Sequence, residues 1–178
     1  MVRPIVLFGD PVLRAKCKPV TEVTDEIREL SKDMIETMID AEGVGLAAPQ
    51  VGVPLQLAVV DVAHDPECVS YLRVDGKDVE MADIMPLIFI NPKLELVEPK
   101  EAEQEGCLSF PDIRAMITRP AEVKAKLTTL DGDSFVIETD GLLSRAIQHE
   151  TDHLHGRLFI DRMTAATKVS LKRKIKRI

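Results

Sequence analysis

The sequence contains no tryptophan, one tyrosine and five phenylalanines, and its formal net charge is −7. A general nucleic-acid binder needs a basic field and usually stacking aromatics, so this composition excludes that class, sequence-specific DNA binding included. No apolar run approaches the ~18 residues that cross a bilayer, and the apolar stretch at 5–8 is too short for a signal-peptide core. An Arg- and Ser-rich organellar presequence is also missing, so the expected location is the cytoplasm, with no membrane partner. Cysteine is scarce: Cys17, Cys68 and Cys107 make an odd count in a chain of 178 residues, which argues against a disulfide framework. A cysteine with a task here acts as a thiolate. Repeats and low-complexity linkers are absent, and 45% hydrophobic with 30% charged residues is globular composition. The expectation is one domain over 1–178.

What is present reads as α+β. Thr24 is placed to cap a helix whose apolar face carries Ile27, Leu30, Met34, Ile35, Met38 and Ala41, with Gly43 at its end. The apolar loop 43–52 (GVGLAAPQVG) leads to a strand over 55–62, and the polar stretch 64–85 reads as a surface excursion. Short strands at 87–91 and 94–97 flank an expected turn at Asn91-Pro92. Alternation at Val123, Ala125, Leu127 and Thr129, then at Phe135, Ile137 and Thr139 across Asp131-Gly132, predicts a hairpin. Asp140 is the expected cap of a second helix ending near Gly156, and a basic helix starts near Thr164. The architecture expected is short antiparallel strands around a central helix, with an amphipathic helix before and a basic helix after.

The densest chemistry lies in His149-Glu150-Thr151-Asp152-His153. Positions i and i+4 differ by about 40° on an α-helix, so the two imidazoles share a face and can chelate one ion. Glu150 flanks that face, placed to act as a base on a water without itself being a ligand. The competing reading is a solvated helix face that happens to carry two histidines. Catalytic zinc commonly takes three protein ligands, and the segment after His153 offers no convincing third. Cys107, in EGCLSFP at 105–111 and bounded by Gly106 and an expected turn at Pro111, supplies a candidate sulfur; alone, it reads first as a small buried side chain. The 43–52 loop lacks the third glycine of a dinucleotide fingerprint and the Gly-Lys-Ser/Thr of a phosphate loop. Its Gln50 amide could polarise a carbonyl, or the loop is an ordinary helix-to-strand connection.

Taken together and in order, GVGLAAPQVG, EGCLSFP and QHETDHLHG resemble the three signature motifs of the peptide deformylases, metalloenzymes that remove the formyl group from formylmethionine on new polypeptides. The resemblance implies Cys107, His149 and His153 as ligands of one divalent metal, Glu150 as base, and Gln50 with the Leu108 backbone N–H as oxyanion donors. It places Val44, Gly45, Leu142 and Ala146 along the substrate cleft and methionine pocket, and Arg114 near its entrance. Ferrous iron is the usual metal so implied, with zinc, nickel or cobalt able to occupy the same ligands, and N-formylmethionyl nascent peptides are the partners. Arg145 departs from members that are apolar there, which points to an altered pocket rim; Asp152 anchors the site to Arg119 or makes a surface salt bridge. An HExxH endopeptidase and a protein with a structural metal are the alternative readings.

From Lys168 onward there are six basic residues and no acid. This tail resembles the helix by which some deformylases dock on the ribosome, where rRNA phosphates would attract it. The alternative is a helix that closes the core through Val169, Leu171, Ile175 and Ile178.

Overall fold

The computed structural model describes residues 1–66 and 68–178; of the expected excursion at 64–85, Glu67 lies outside the described residues. The first helix, α1 (Asp25–Asp40), starts as its sequence directs. The Thr24 hydroxyl accepts from the Ile27 N–H, with Asp25 and Glu26 in the first turn, where the helix dipole favours acids. Leu30, Met34 and Met38 are buried. The exit differs from expectation. Glu42 takes the left-handed conformation (φ 57°), and the Glu42 and Gly43 N–H groups reach back to Ile39 and Met38. That pair of reverse bonds caps the helix one residue before Gly43.

The strands are β1 (Gly45–Ala47), β2 (Leu57–Val60), β3 (Leu72–Val74), β4 (Lys77–Asp78), β5 (Leu87–Cys107), β6 (Phe110–Thr128) and β7 (Ser134–Thr139), with a four-residue helix α2 (Met81–Ile84) before β5. They form one sheet in the order β1-β2-β5-β6-β7-β3-β4, every neighbouring pair antiparallel. The expected hairpin around Asp131-Gly132 is the β6–β7 pair, with Gly132 at φ 91°. Three expectations are corrected. Leu87 to Cys107 is a single strand of 21 residues, so neither β5 nor the 19-residue β6 is short. Asn91 does not turn the chain: at φ 49° it opens a register shift between Ile90 and Lys93. Its side-chain amide meanwhile bonds the Val20 backbone in both directions. Finally, 64–85 is not wholly a surface excursion: its residues 72–74 and 77–78 belong to the sheet, because β3 pairs with β7 and with β4, and Leu72 is buried. Polar composition there reflects an edge of the sheet, where charged side chains also discourage pairing with other chains.

The central helix α3 (Gly141–Leu154) lies against β1, β2 and β6, and its apolar side chains Leu143, Ala146, Ile147 and Leu154 join β2, β5, β6 and β7 in the main core. Each fully buried Leu or Ile contributes ~1.5–3 kcal/mol over the exposed state. The Asp140 carboxylate does not cap α3; it accepts from the Tyr71 N–H (3.0 Å), while the Ser70 hydroxyl accepts from Leu143 N–H (3.3 Å). The end of α3 is as expected: Gly156 sits at φ 73°, and a Cβ there would strike the Arg14 carbonyl. The last helix, α4 (Ala165–Lys176), is capped by Thr164. Leu171, Ile175 and Ile178 pack beside Phe110, Ile117 and Phe159, whereas Val169 is 74% exposed and takes no part in closing the core. No helix is long and apolar enough to cross a membrane, among the described residues.

Candidate functional site

Helical spacing puts His149 and His153 one turn apart on α3, and their Nε2 atoms lie 3.2 Å from each other. Cys107 comes to them from the sheet. It is the last residue of β5, paired with Phe110 across a tight Leu108-Ser109 turn. Pro111, expected to turn the chain, is instead the second residue of β6. Cys107 Sγ is 3.4 Å from His153 Nε2, and one ligand atom from each of the three residues falls within 4.8 Å of the others. A tetrahedral ion with Zn–N near ~2.0 Å and Zn–S near ~2.3 Å separates such donors by roughly 3.3–3.6 Å. The soft sulfur and two imidazoles therefore fit one divalent transition-metal ion.

His149 Nδ1 faces a carboxylate, Glu105 Oε1, at 3.0 Å, so Nδ1 carries the proton and Nε2 turns its lone pair toward Cys107 and His153. Glu105 accepts two further bonds from Arg119, Nε to Oε2 at 2.6 Å and Nη2 to Oε1 at 2.9 Å, and one from Arg145 Nη1 at 3.0 Å. Arg119 continues to Asp152 at 2.9 Å, the pairing expected from sequence, and Arg162 completes that carboxylate. Burial would raise the Glu105 pKa, but the His149 hydrogen bond and the Arg119 guanidinium hold it down at about 2. Burial also works against charge on His149; Glu150, Cys107 and Glu105 outweigh it and lift this imidazole well above its usual range. Burial, with the neighbouring His149 and Arg119 cations, drives His153 well below. The two rings are thus unequal, the pKa of His149 shifted up and that of His153 down.

Glu150 projects between α3 and β1. Burial pushes its carboxyl up to about 7, Glu105 adding to the rise against the opposing pull of His149 and Arg119. Its Oε1 is buried without a hydrogen-bond partner among the described residues. On the other side stands Gly45, where an added Cβ would overlap Glu150 Oε2; only glycine lets β1 approach so closely. Gln50, on the 3-10 turn Ala48–Val51, has both ends of its amide engaged. Oε1 accepts from Ala47 N–H at 2.9 Å, and Nε2 donates to Ser109 Oγ at 3.1 Å while lying 3.6 Å from Cys107 Sγ. The N-terminal segment holds both pieces, with Val6 N–H on the Gln50 carbonyl and Phe8 N–H on that of Ser109.

These residues line a cavity of about 550 Å³. Val44, Gly45, Gln50, Cys107, Leu108, Arg114, Leu142, Ala146, His149 and Glu150 all face it, which is every site residue expected from sequence except His153, buried beneath it at 1% exposure. Arg114 is exposed at the opening. Arg145 also borders the cavity but is 7% exposed, with its guanidinium turned into the Glu105 network; it is no mere alteration of the rim. Sequence reading assigned no role to Glu105 or Ser109. The signal for Glu105 was its position two residues before Cys107 on a strand, hence on the same side; Ser109 had none. Cys17 is buried, its thiol raised by burial to about 11; its Sγ lies against the His153 backbone carbonyl, and it is not one of the three clustered ligand residues.

The polypeptide deformylase profile matches residues 2–169. The chain is similar to the peptide deformylase of Methylacidiphilum infernorum, 44% identical over 178 residues covering 100% of this chain and 93% of that one. It is likewise similar to that of Acinetobacter baumannii, 44% identical over 176 residues covering 98% and 90%. Among solved structures, a peptide deformylase from Legionella pneumophila superimposes with a TM-score of 0.82 at 33% identity, covering 99% of this chain and 95% of that one. One from Thermotoga maritima gives 0.77 at 38% identity, covering 92% and 99%. With matched relatives this similar over nearly their whole length, and with sulfur and imidazoles meeting at the floor of a shared cavity, the chain belongs to the polypeptide deformylase family.

Proposed function

We propose that this chain, acting as a single metallohydrolase unit over 1–178, removes the N-formyl group from the formylmethionine of newly made polypeptides and releases formate. The observation that carries the reading is the convergence of Cys107, His149 and His153 at and beneath the wall of one cavity, beside the buried Glu150, in a chain of this family. Cys107, His149 and His153 hold the ion, and no fourth protein donor joins their group among the described residues. A fourth position left to water or substrate belongs to catalytic rather than structural sites. The donor set suits ferrous iron, which we infer as the resident metal, with zinc, nickel or cobalt fitting the same ligands.

When bound, the divalent ion supplies a water acidified toward neutrality and a Lewis acid for the formyl oxygen. Glu150, with a pKa near the working pH and an oxygen free of other bonds, takes the proton from the attacking water. It then delivers that proton to the amine nitrogen as the formyl C–N bond breaks. Gln50 Nε2, held by the Ala47 bond at its other end, and the Leu108 N–H at the turn stabilise the negative charge on the formyl oxygen. Leu142, Ala146 and Val44 receive the methionine side chain, Gly45 leaves room for the substrate backbone, and Arg114 stands at the entrance. The basic face of α4 is free for rRNA phosphates because none of its residues is buried; ribosome association unchanged at low salt after truncation beyond Thr167 overturns that part.

The test is incubation of metal-loaded protein with formyl-Met-Ala-Ser and with a blocked, unformylated peptide. Formate from the first and no fragments from the second is the expected result. Fragments from the second, without formate, would make the protein an endopeptidase. Metal analysis of protein purified without oxygen checks the iron assignment.

A further inference from the structure

We propose that Arg145 is a positioning residue for the metal ligand His149, acting through Glu105. The inference rests on Cys107, His149 and His153 holding a metal, as in the reading above. A carboxylate offers about four lone-pair sites, and all are taken in Glu105: Arg119 Nε and Arg145 Nη1 on Oε2, Arg119 Nη2 and His149 Nδ1 on Oε1. Arg119 reaches it from β6 and is shared with Asp152. Arg145 reaches it from α3, one turn before His149 on the same face. It is also tied to the sheet, through Nη1 to the Ile117 carbonyl at 2.8 Å and Nη2 to the Glu101 carbonyl.

His149, Glu105, Arg145 and the intervening turn of α3 therefore form a closed ring. The helix that carries the ligand also carries the group that fixes the ligand's hydrogen-bond partner, and two strand carbonyls fix that group in turn. With Arg145 removed, Glu105 keeps its bidentate arginine, but one lone pair on Oε2 loses its donor, and apart from His149 itself the carboxylate reaches α3 only indirectly, through Arg119 to Asp152. The His149 ring then loses its direct reference to the turn of α3 that precedes it. Partners that orient a ligating imidazole typically account for ~10–100-fold in metal retention.

The experiment measures cobalt release from the loaded full-length protein into excess chelator, followed by the thiolate-to-cobalt absorption. R145M is expected to keep the wild-type circular dichroism and to release cobalt about 10–100-fold faster. R145K, which keeps a cation but not the planar fork, is expected to fall between the two. On an E105Q background R145M should add less than about 2-fold, since the two act through one contact. Release at the wild-type rate, or a full R145M effect persisting without Glu105, overturns the proposal. Should R145M fail to fold, R145K decides it: unchanged release overturns, faster release supports. Tight cobalt binding by the wild type with no formate release sinks the deformylase reading and leaves the Arg145 result standing. Wild-type protein that holds no cobalt sinks both.

Discussion

Helices α3 and α4 have 14 and 12 residues and stand on opposite sides of the same question. In α3, Arg145, Gln148, His149, Glu150 and His153 are polar and buried; in α4 no residue of any kind is buried. A buried polar group costs free energy unless it is matched, and three in α3 have partners: Glu105 for Arg145 and His149, Ser144 and the Pro120 carbonyl for Gln148; Glu150 Oε1 and His153 Nδ1 are left without one among the described residues, at the place where substrate and ion would come. The polar side chains of α4 meet water and tolerate exchange. Chemistry in this molecule sits where polar groups have been taken out of water, and charge alone, abundant in α4, does not make a site.

The contrast breaks hardest at the ligands. His153→Ala should abolish both stoichiometric metal binding and formate release, and retention of one tightly bound ion would show that His153 is not a ligand. Next is Glu150→Gln, expected to lower kcat by about 10²–10⁴-fold with metal content intact; wild-type turnover would remove Glu150 as base. Gln50→Ala should cost roughly 2.7–4 kcal/mol of transition-state stabilisation, read as a fall in kcat greater than any rise in KM. A smaller effect concerns acid. The Glu105 pKa falls from 4.5 unfolded to about 2 folded, so its contribution is present above pH 4.5 and lost as pH falls toward 2. At ~1.4 kcal/mol per unit this amounts to about 3 kcal/mol in metal-free protein. Denaturant midpoints between those pH values should drop steeply in wild type and flatten in E105Q. The smallest effect lies in α4: Lys172→Ala with Lys174→Ala should change stability by no more than ~0.5 kcal/mol each, and a larger loss in thermal melting would mean that helix is tied down after all.

Much of this was legible in the sequence because it depends on local periodicity. The i, i+4 histidines, the Thr24 and Gly156 helix ends and the β6–β7 hairpin follow from spacing and turn chemistry. What escaped depends on distant contacts. Asn91 looks like a turn residue until the Val20 backbone, 71 positions away, engages its amide and leaves the strand to run on. Polar residues at 70–78 read as a loop because nothing local reveals that β7 pairs with them. Arg145 looks like a pocket substitution until Glu105 is seen 40 positions back, buried and in need of cations.

Cys107 and His153 are 46 residues apart in sequence and 3.4 Å apart in space. An ion held by both, as proposed above, would work as a removable crosslink, shutting a long loop of chain whose opening would otherwise gain entropy. The free energy of capturing the ion is thereby added to that of the fold. Melting temperature should therefore climb with the concentration of free metal, so that starvation for metal would expose the protein to unfolding and degradation as well as silence it.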